Sequence, residues 1–383
     1  MWCLFTYCHY TKLETLKPTI NSYLQTDESG VPFLFILGRP RSGTTLLRMI
    51  FEAHPNVVIP PECQFIINLS SKYGGISFWT HQHLKNFIED IKTQWRIEMW
   101  NLDWDMLWQG LLKYEGNHSY GSVCKVVYQS YESLFPKAEI QLYGDKNPGY
   151  SIYTERLRKI YPNARFIYLN RDYRDNYVSL HDVHFDLSIP SLTAQKWKYY
   201  YKTIVKCANK LPEQYRIVRY EDLVANPEVV VKQLCEFVGI TYFPEMLDYY
   251  KKSDDFTKTY PPDVLKKYHS RITQKVNSSR TGIWQERLTK KEVMQLEATI
   301  GTLGEKAGYP KSYSHVNQSV YLTILPGRIL AALLYVATFI VDKLPTGIRM
   351  NILSKWPRAI AMIILRVVNP KKLNQIRASR NTK

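Results

Sequence analysis

The segment Gly38-Arg39-Pro40-Arg41-Ser42-Gly43-Thr44-Thr45 has the residue types to hold an anion. It follows the apolar run Phe33-Leu34-Phe35-Ile36-Leu37 and precedes Leu46, Leu47, Ile50 and Phe51, which share one helical face. Between a strand and a helix, unpaired backbone N–H groups and the positive helix end favour an oxyanion. Gly43 lets the backbone come close to it. Ser42, Thr44 and Thr45 add hydroxyl donors. The segment departs from the nucleoside triphosphatase pattern G-x-x-x-x-G-K-[ST], because Thr44 stands where the lysine belongs. A triphosphatase needs that lysine on its phosphates. Here the cation is Arg41, inside the loop.

The elements that must position this loop read as alternating strands and helices. The first helix closes at His54-Pro55-Asn56, and a helix-like stretch Ile152–Ile160 leads into the strand Arg165–Leu169. A polar turn and a helix from about Asp175 follow. Tyr215–Tyr220 is another strand and Glu228–Phe237 another helix. This alternation predicts a three-layer α/β fold with a central parallel sheet. The chain has 383 residues, 45% hydrophobic and 22% charged, which suits one large domain with an appendage. We divide it into an N-terminal extension over 1–30, a main domain over 31–312 and a basic, apolar helical region over 313–383.

The net charge of +17 is unevenly placed. Residues 342–383 carry ten Lys or Arg against the single acid Asp342, so about half of the excess sits in the tail. It contains no long Lys/Arg run of the kind nucleic-acid arms carry, and we expect no nucleic-acid partner. Val320–Val341 is apolar but holds Pro326-Gly327-Arg328, leaving Ile329–Val341 as the clean stretch. Thirteen residues span roughly 20 Å, short of a hydrocarbon core of ~30 Å. A second apolar run, Ala359–Leu365, is shorter. Basic residues around both runs suggest an anchor lying on an anionic membrane surface. Packing on the domain or in a dimer interface is the alternative reading. A spanning helix requires the segment to run from Val320 through the Pro-Gly-Arg interruption. The six cysteines lack metal or redox spacing, and the N-terminus lacks a charged region followed by an apolar one. Both features point to the cytoplasm, with the chain peripheral to the inner face of the membrane. The oligomeric state is left open.

Pro40-Arg41-Ser42-Gly43-Thr44-Thr45 resembles the 5′-phosphosulfate loop of the sulfotransferases that use 3′-phosphoadenosine 5′-phosphosulfate (PAPS), whose fold is related to the P-loop kinases. A second motif agrees. The family's 3′-phosphate site is a strand, an Arg, and a Ser eight residues on, and Arg171 and Ser179 match that spacing after Arg165–Leu169. Arg offers a planar fork to a phosphate, and a Ser one turn into a helix donates a second bond. Arg219-Tyr220-Glu221-Asp222-Leu223 with Asn226-Pro227 resembles another family segment, whose carboxylates we expect to cap a helix and orient basic residues. Ser278-Ser279-Arg280-Thr281-Gly282-Ile283-Trp284 resembles the late segment that closes over the 3′-phosphate and adenine, with Arg280 the expected contact. The resemblance covers about Phe33–Tyr309.

The resemblance also implies the chemistry. Sulfuryl transfer needs cations on the sulfuryl oxygens and a base for the acceptor hydroxyl. The soluble small-molecule branch uses a histidine base, and no matching His segment is present. Glu62, in Ile59-Pro60-Pro61-Glu62-Cys63-Gln64, lies 21 residues after Arg41, as does the glutamate base of the protein-tyrosine sulfotransferases. Gly144-Asp145-Lys146-Asn147-Pro148 resembles that branch's lysine segment, so Lys146, with Arg41, is expected to neutralise the sulfuryl oxygens. The pair His181 and His184 lacks a third ligand, and no metal is expected. The implied activity is O-sulfation, and the apolar, basic tail points to a lipid or sterol-like alcohol, with glycan hydroxyls next, as the small-molecule or glycolipid acceptor. Tyrosyl-protein sulfation is the alternative, and a P-loop kinase or NTPase a more distant one.

Overall fold

All six residues of β1 (Phe33–Gly38) are buried, as expected for a strand with neighbours on both sides and helices above and below. The computed structural model describes residues 32–182, 187–260, residues 262–349 except 269, 314, 316, 345 and 346, and the isolated residues 352 and 366. The extension over 1–30, His184 and the run Ala359–Leu365 lie outside the described residues. β1 pairs in parallel with β3 (Leu142–Lys146) on one side and β4 (Arg165–Asn170) on the other. β2 (Val57–Val58) and β5 (Tyr215–Arg219) complete a five-stranded parallel sheet in the order β2-β3-β1-β4-β5. From β1 the chain moves one way to β2 and the other way to β4 and β5. Right-handed crossovers therefore put their helices on opposite faces. The three-layer reading of the sequence holds.

Register sets the site. Ile36 lies opposite Lys146, Gly38 opposite Leu169, and Asn170 opposite Arg219. The anion loop, Lys146, Arg171 and Tyr220 therefore leave the sheet at one carboxyl edge, where open α/β sheets bind ligands. From the sequence, Gly144–Pro148 reads as a loop. In the structure Leu142–Lys146 is a strand, and Lys146 is only 1% exposed. Its polar last residues hide a strand whose burial is imposed by neighbours on both sides. The stretch Ile152–Ile160 is also divided, into a 3-10 turn (Pro148–Ile152) and a helix (Thr154–Ile160).

Six helices matter for the site: α1 (Thr44–Glu52), α2 (Phe65–Tyr73), α3 (Tyr173–Asp182), α4 (Pro190–Lys210), α5 (Lys290–Ile300) and α6 (Gln318–Asp342). The last corrects the sequence reading. Pro326-Gly327-Arg328 does not interrupt the apolar segment; one helix of 25 residues runs through it. It is long and apolar enough, by length and composition, to cross a membrane. Yet α6 packs against α4 and α5, with Ile324, Gly327 and Ala331 buried. Gly327 is where the two backbones meet. A Cβ there would lie 2.1 Å from Ser191 Oγ and 2.9 Å from Leu192 N. The close approach recovers contact energy against the hydrogen bond that Pro326 removes. At the far end Asp342 accepts from both Arg156 and Arg349, and Arg349 also donates to the Asn68 carbonyl of α2.

Gly327→Val should undock α6. We expect a loss of ~1–3 kcal/mol in unfolding free energy, the usual cost of overpacking. Calorimetric unfolding checks this, and an unchanged midpoint would mean that α6 is not held at this contact.

Candidate active site

Two residues of the loop sit in left-handed backbone, Arg41 (φ 71°) and Gly43 (φ 91°), the latter capping α1. A side chain at 43 would also collide with the Tyr220 ring, whose Cδ2 is 2.5 Å from the Cβ position. Ser42 and Thr44 are buried beneath the loop and Thr45 lines the cleft. The loop is tied to α3: Asn176 Nδ2 donates to the Pro40 carbonyl (2.9 Å), and Arg41 Nε donates to Ser179 Oγ (3.3 Å). The two halves of the expected ligand site are thus in direct contact.

Arg171 joins a third segment to them. Its Nη1 donates to the Arg41 carbonyl (2.9 Å) and its Nη2 to the Arg280 carbonyl (2.6 Å), while its guanidinium lies over the Tyr220 ring. The planar fork is therefore spent on two backbone carbonyls. The buried Nε is left without a hydrogen-bond partner among the described residues. Asp175 of α3 holds the late segment in place, accepting from the backbone N–H groups of Gly282 (2.7 Å) and Trp284 (3.0 Å). Glu221 accepts from the Asp172 N–H (3.0 Å) and from the Tyr309 hydroxyl (2.9 Å), fixing the turn that carries Arg171. Arg280 points its Nη1 towards Asp182 at 3.9 Å. Burial lowers the pKa of Arg41, and the neighbouring Arg171 and Arg280 lower it further. Three guanidinium groups sharing one cleft favour a multiply charged anion between them.

Glu62 follows two prolines after β2, on a segment braced from both sides. Glu52 accepts from the Ile59 N–H, Arg48 donates to the Ile59 carbonyl (2.7 Å) and Trp100 Nε1 donates to the Pro61 carbonyl (2.9 Å). The carboxylate faces two cations. Lys146 Nζ donates to Oε1 and also to Thr45 Oγ1 (3.1 Å), and Arg96 Nη1 donates to Oε2 (2.5 Å). Burial lowers the pKa of Lys146, against the opposing pull of Glu62. Arg96 itself adopts φ 71° and stacks on Trp95, 4.1 Å from the ring centroid. Beside this pair, the buried Asp145 accepts from the Tyr128 hydroxyl and from Asn147 Nδ2. Burial pushes its pKa up to about 7.

One cleft of about 660 Å³ contains Arg41, Gly43, Thr44, Thr45, Glu62, Arg171, Ser179 and Arg280 along its walls. Lys146 reaches it through Glu62 and Thr45, and Ser42 lies just below. Every site residue expected from the sequence is therefore brought together. Arg96, Trp95 and the positioning carboxylates Asp175 and Glu52 were not foreseen as site residues. Arg96 belongs to the stretch 65–143, where no spacing pointed to the cleft. Among the described residues no group of three or more His, Cys, Asp or Glu could hold a metal ion.

An anion cradle on a parallel sheet, with an acid clamped between two cations beside it, defines a group-transfer site of the P-loop-like class. The chain belongs to the sulfotransferase family, whose model matches residues 32–245. It is 25% identical over 256 residues to the protein-tyrosine sulfotransferase of Drosophila melanogaster, covering 63% of this chain and 46% of that one. It is 26% identical over 223 residues to protein-tyrosine sulfotransferase A of Caenorhabditis elegans, covering 56% and 52%. The aligned regions thus span about half the length of these two relatives. Among solved structures, the sulfotransferase domain of the Synechococcus PCC 7002 olefin synthase matches with a TM-score of 0.51 at 21% identity. That match covers 75% of this chain and 98% of that domain. The likeness supports the fold alone.

Asp145 makes a pH test. Its folded pKa is raised, so the stability it contributes is full below the unfolded value near 4 and is lost as pH rises through about 7. Asp145→Asn should remove that loss. Between about pH 5 and 8 the wild type should lose ~2–3 kcal/mol relative to the variant in denaturant unfolding. Parallel curves would show that Asp145 is ionised throughout.

Proposed function

We propose that this chain moves the sulfuryl group of PAPS to an acceptor hydroxyl, giving PAP (the desulfated product) and a sulfate ester. The observation that carries the reading is the carboxylate of Glu62 set against Lys146 and Thr45 at the mouth of the Arg41 loop. The loop N–H groups and Arg41 would hold the 5′-phosphosulfate, and Arg171 Nε, Ser179 and Arg280 the 3′-phosphate. When bound, PAPS supplies an activated sulfuryl group on a phosphate leaving group. In-line transfer of this kind is accelerated mostly by positioning and charge stabilisation. Lys146 and Arg41 would neutralise charge developing on the sulfuryl and bridging oxygens. Glu62 would take the proton of the attacking hydroxyl, with Arg96 and the braced Pro60-Pro61 segment fixing its direction.

For the acceptor we infer an alcohol of a lipid, sterol-like or glycan molecule. Tyrosyl-protein sulfation is the second reading, favoured by the names of the aligned relatives and by Glu62 and Lys146. A P-loop kinase or NTPase is disfavoured by Thr44 in the lysine position. We further infer that the chain rests on the inner face of a membrane. On the side of α6 turned away from the domain, Leu322, Leu325, Ile329, Leu333, Val336 and Ile340 form a helical stripe, each 49–75% exposed. The basic tail that follows suits an anionic surface.

Glu62→Gln should lower kcat by ~10²-fold or more while leaving PAP affinity unchanged. Retained turnover would remove Glu62 from the base role. PAP should raise the unfolding temperature and ATP with Mg²⁺ should not; the reverse result would favour a kinase. The wild type should float with anionic vesicles and not with zwitterionic ones. The triple change Ile329→Glu, Leu333→Glu, Val336→Glu should stay in solution, and a wild type that does not float would end the membrane reading.

A further inference from the structure

The cleft does not stop at the charged residues. Beyond Glu62 and Gln64 it continues past Ile152 and Tyr200 to α6, where Ala331, Leu334, Tyr335 and Thr338 form its far wall. These four fall on the docked face of α6, opposite the exposed stripe. Tyr335 is stacked on Tyr199 of α4, with ring centroids 4.4 Å apart. Leu334 packs on the small apolar cluster of Leu187, Leu192 and Ala331. The cleft is thus amphipathic along its length. Arg41, Arg171, Arg280 and Glu62 lie at one end, and aliphatic and aromatic side chains of α4 and α6 lie at the other, with Lys196 of α4 beside them.

The family match ends at residue 245, while α6 begins at Gln318. The wall it contributes therefore lies outside the segment that the family model matches. An apolar helix that lines a charged cleft suits a ligand that is itself apolar at that end. The same helix presents hydrocarbon outward on its opposite face.

We propose that α6 is the acceptor-specificity wall: the acceptor is a long-chain amphiphilic alcohol whose hydroxyl reaches Glu62 while its hydrocarbon body lies along Leu334, Tyr335 and Thr338. The proposal rests on the sulfuryl-transfer reading above and narrows its acceptor. Glycans and tyrosyl peptides present polar bodies that this end of the cleft does not match.

The test uses the full chain, labelled PAPS, straight-chain primary alcohols from butanol to hexadecanol in mixed micelles, and a tyrosine-containing acidic peptide. In the wild type, kcat/KM should rise about two- to fourfold per added methylene until the chain reaches the end of the wall. Leu334→Trp should cap that rise at a shorter chain, lowering the long-to-short ratio of kcat/KM at least tenfold. Leu334→Ala, a milder change should the tryptophan not be accommodated, should flatten the slope. PAP stabilisation of each variant reports that the fold and donor site are intact. No dependence on chain length, preference for the peptide, or equal loss on all alcohols in both variants would overturn the inference and leave sulfuryl transfer standing. PAP stabilisation with no alcohol sulfated would do the same. Failure of PAP to bind, with no acceptor labelled, would instead bring down the underlying reading.

Discussion

The structure is organised around a concentration of like charge. Arg41, Arg171, Arg280 and Lys146 converge on the carboxyl edge of one sheet, where the burial of Arg41 and Lys146 and the repulsion of Arg41 by Arg171 and Arg280 oppose folding. Lys146 is paired with Glu62 and Arg280 faces Asp182, whereas the other two are held by neutral groups. Arg171 is bonded to two carbonyls, Arg41 to a serine hydroxyl, and the Arg280 turn is pinned through its backbone by Asp175. Hydrogen bonds to neutral acceptors fix geometry while leaving most of the positive potential in the cleft. The apolar interior must offset that cost, and the stacked rings of Phe35, Phe166 and Tyr215 across the sheet do so in part. A polyanion that relieves the repulsion necessarily stabilises the fold, because it binds the native state alone.

The acid is treated in the opposite way. Glu62 faces two cations, and its segment is fixed by Glu52, Arg48 and Trp100 before any substrate arrives. Proline at 60 and 61 limits the backbone further. In the proposed base role Glu62 would not need to reorganise at the moment of reaction, which favours it over a mobile carboxylate. Arg96, in left-handed backbone and stacked on Trp95, is part of that arrangement.

Which of these features could be read from the sequence follows from their locality. The anion loop is a contiguous pattern whose chemistry is written in a strand, a turn and the first helical turn, whereas Arg171 and Ser179 follow from the family's spacing. Glu62 and Lys146 came only through a resemblance, and Lys146 was placed in a loop, because Gly144-Asp145-Lys146 carries no strand pattern of its own. Arg96 reaches Glu62 from 34 residues away, and no local pattern marks a contact of that kind. Pro326-Gly327 was read as a break because proline disfavours a helix interior. Tertiary packing overrides that preference: without a Cβ at 327, α6 seats against Ser191 and Leu192, and the helix continues.

That seating also bears on the proposed membrane contact of α6, and decides between crossing and lying flat. A helix of 25 residues spans ~37 Å and could cross the hydrocarbon core on length alone. To do so it would have to leave α4 and α5, strip Tyr335 from Tyr199, and release Asp342 from Arg156 and Arg349. It would also carry Arg328 inward and open one wall of the cleft. Lying flat requires none of this. The docked face keeps its contacts, the exposed stripe enters the interface, and the basic residues that follow meet the headgroups. On the proposed reading the two apolar faces of this helix would have two different uses, one against the domain and one against the membrane.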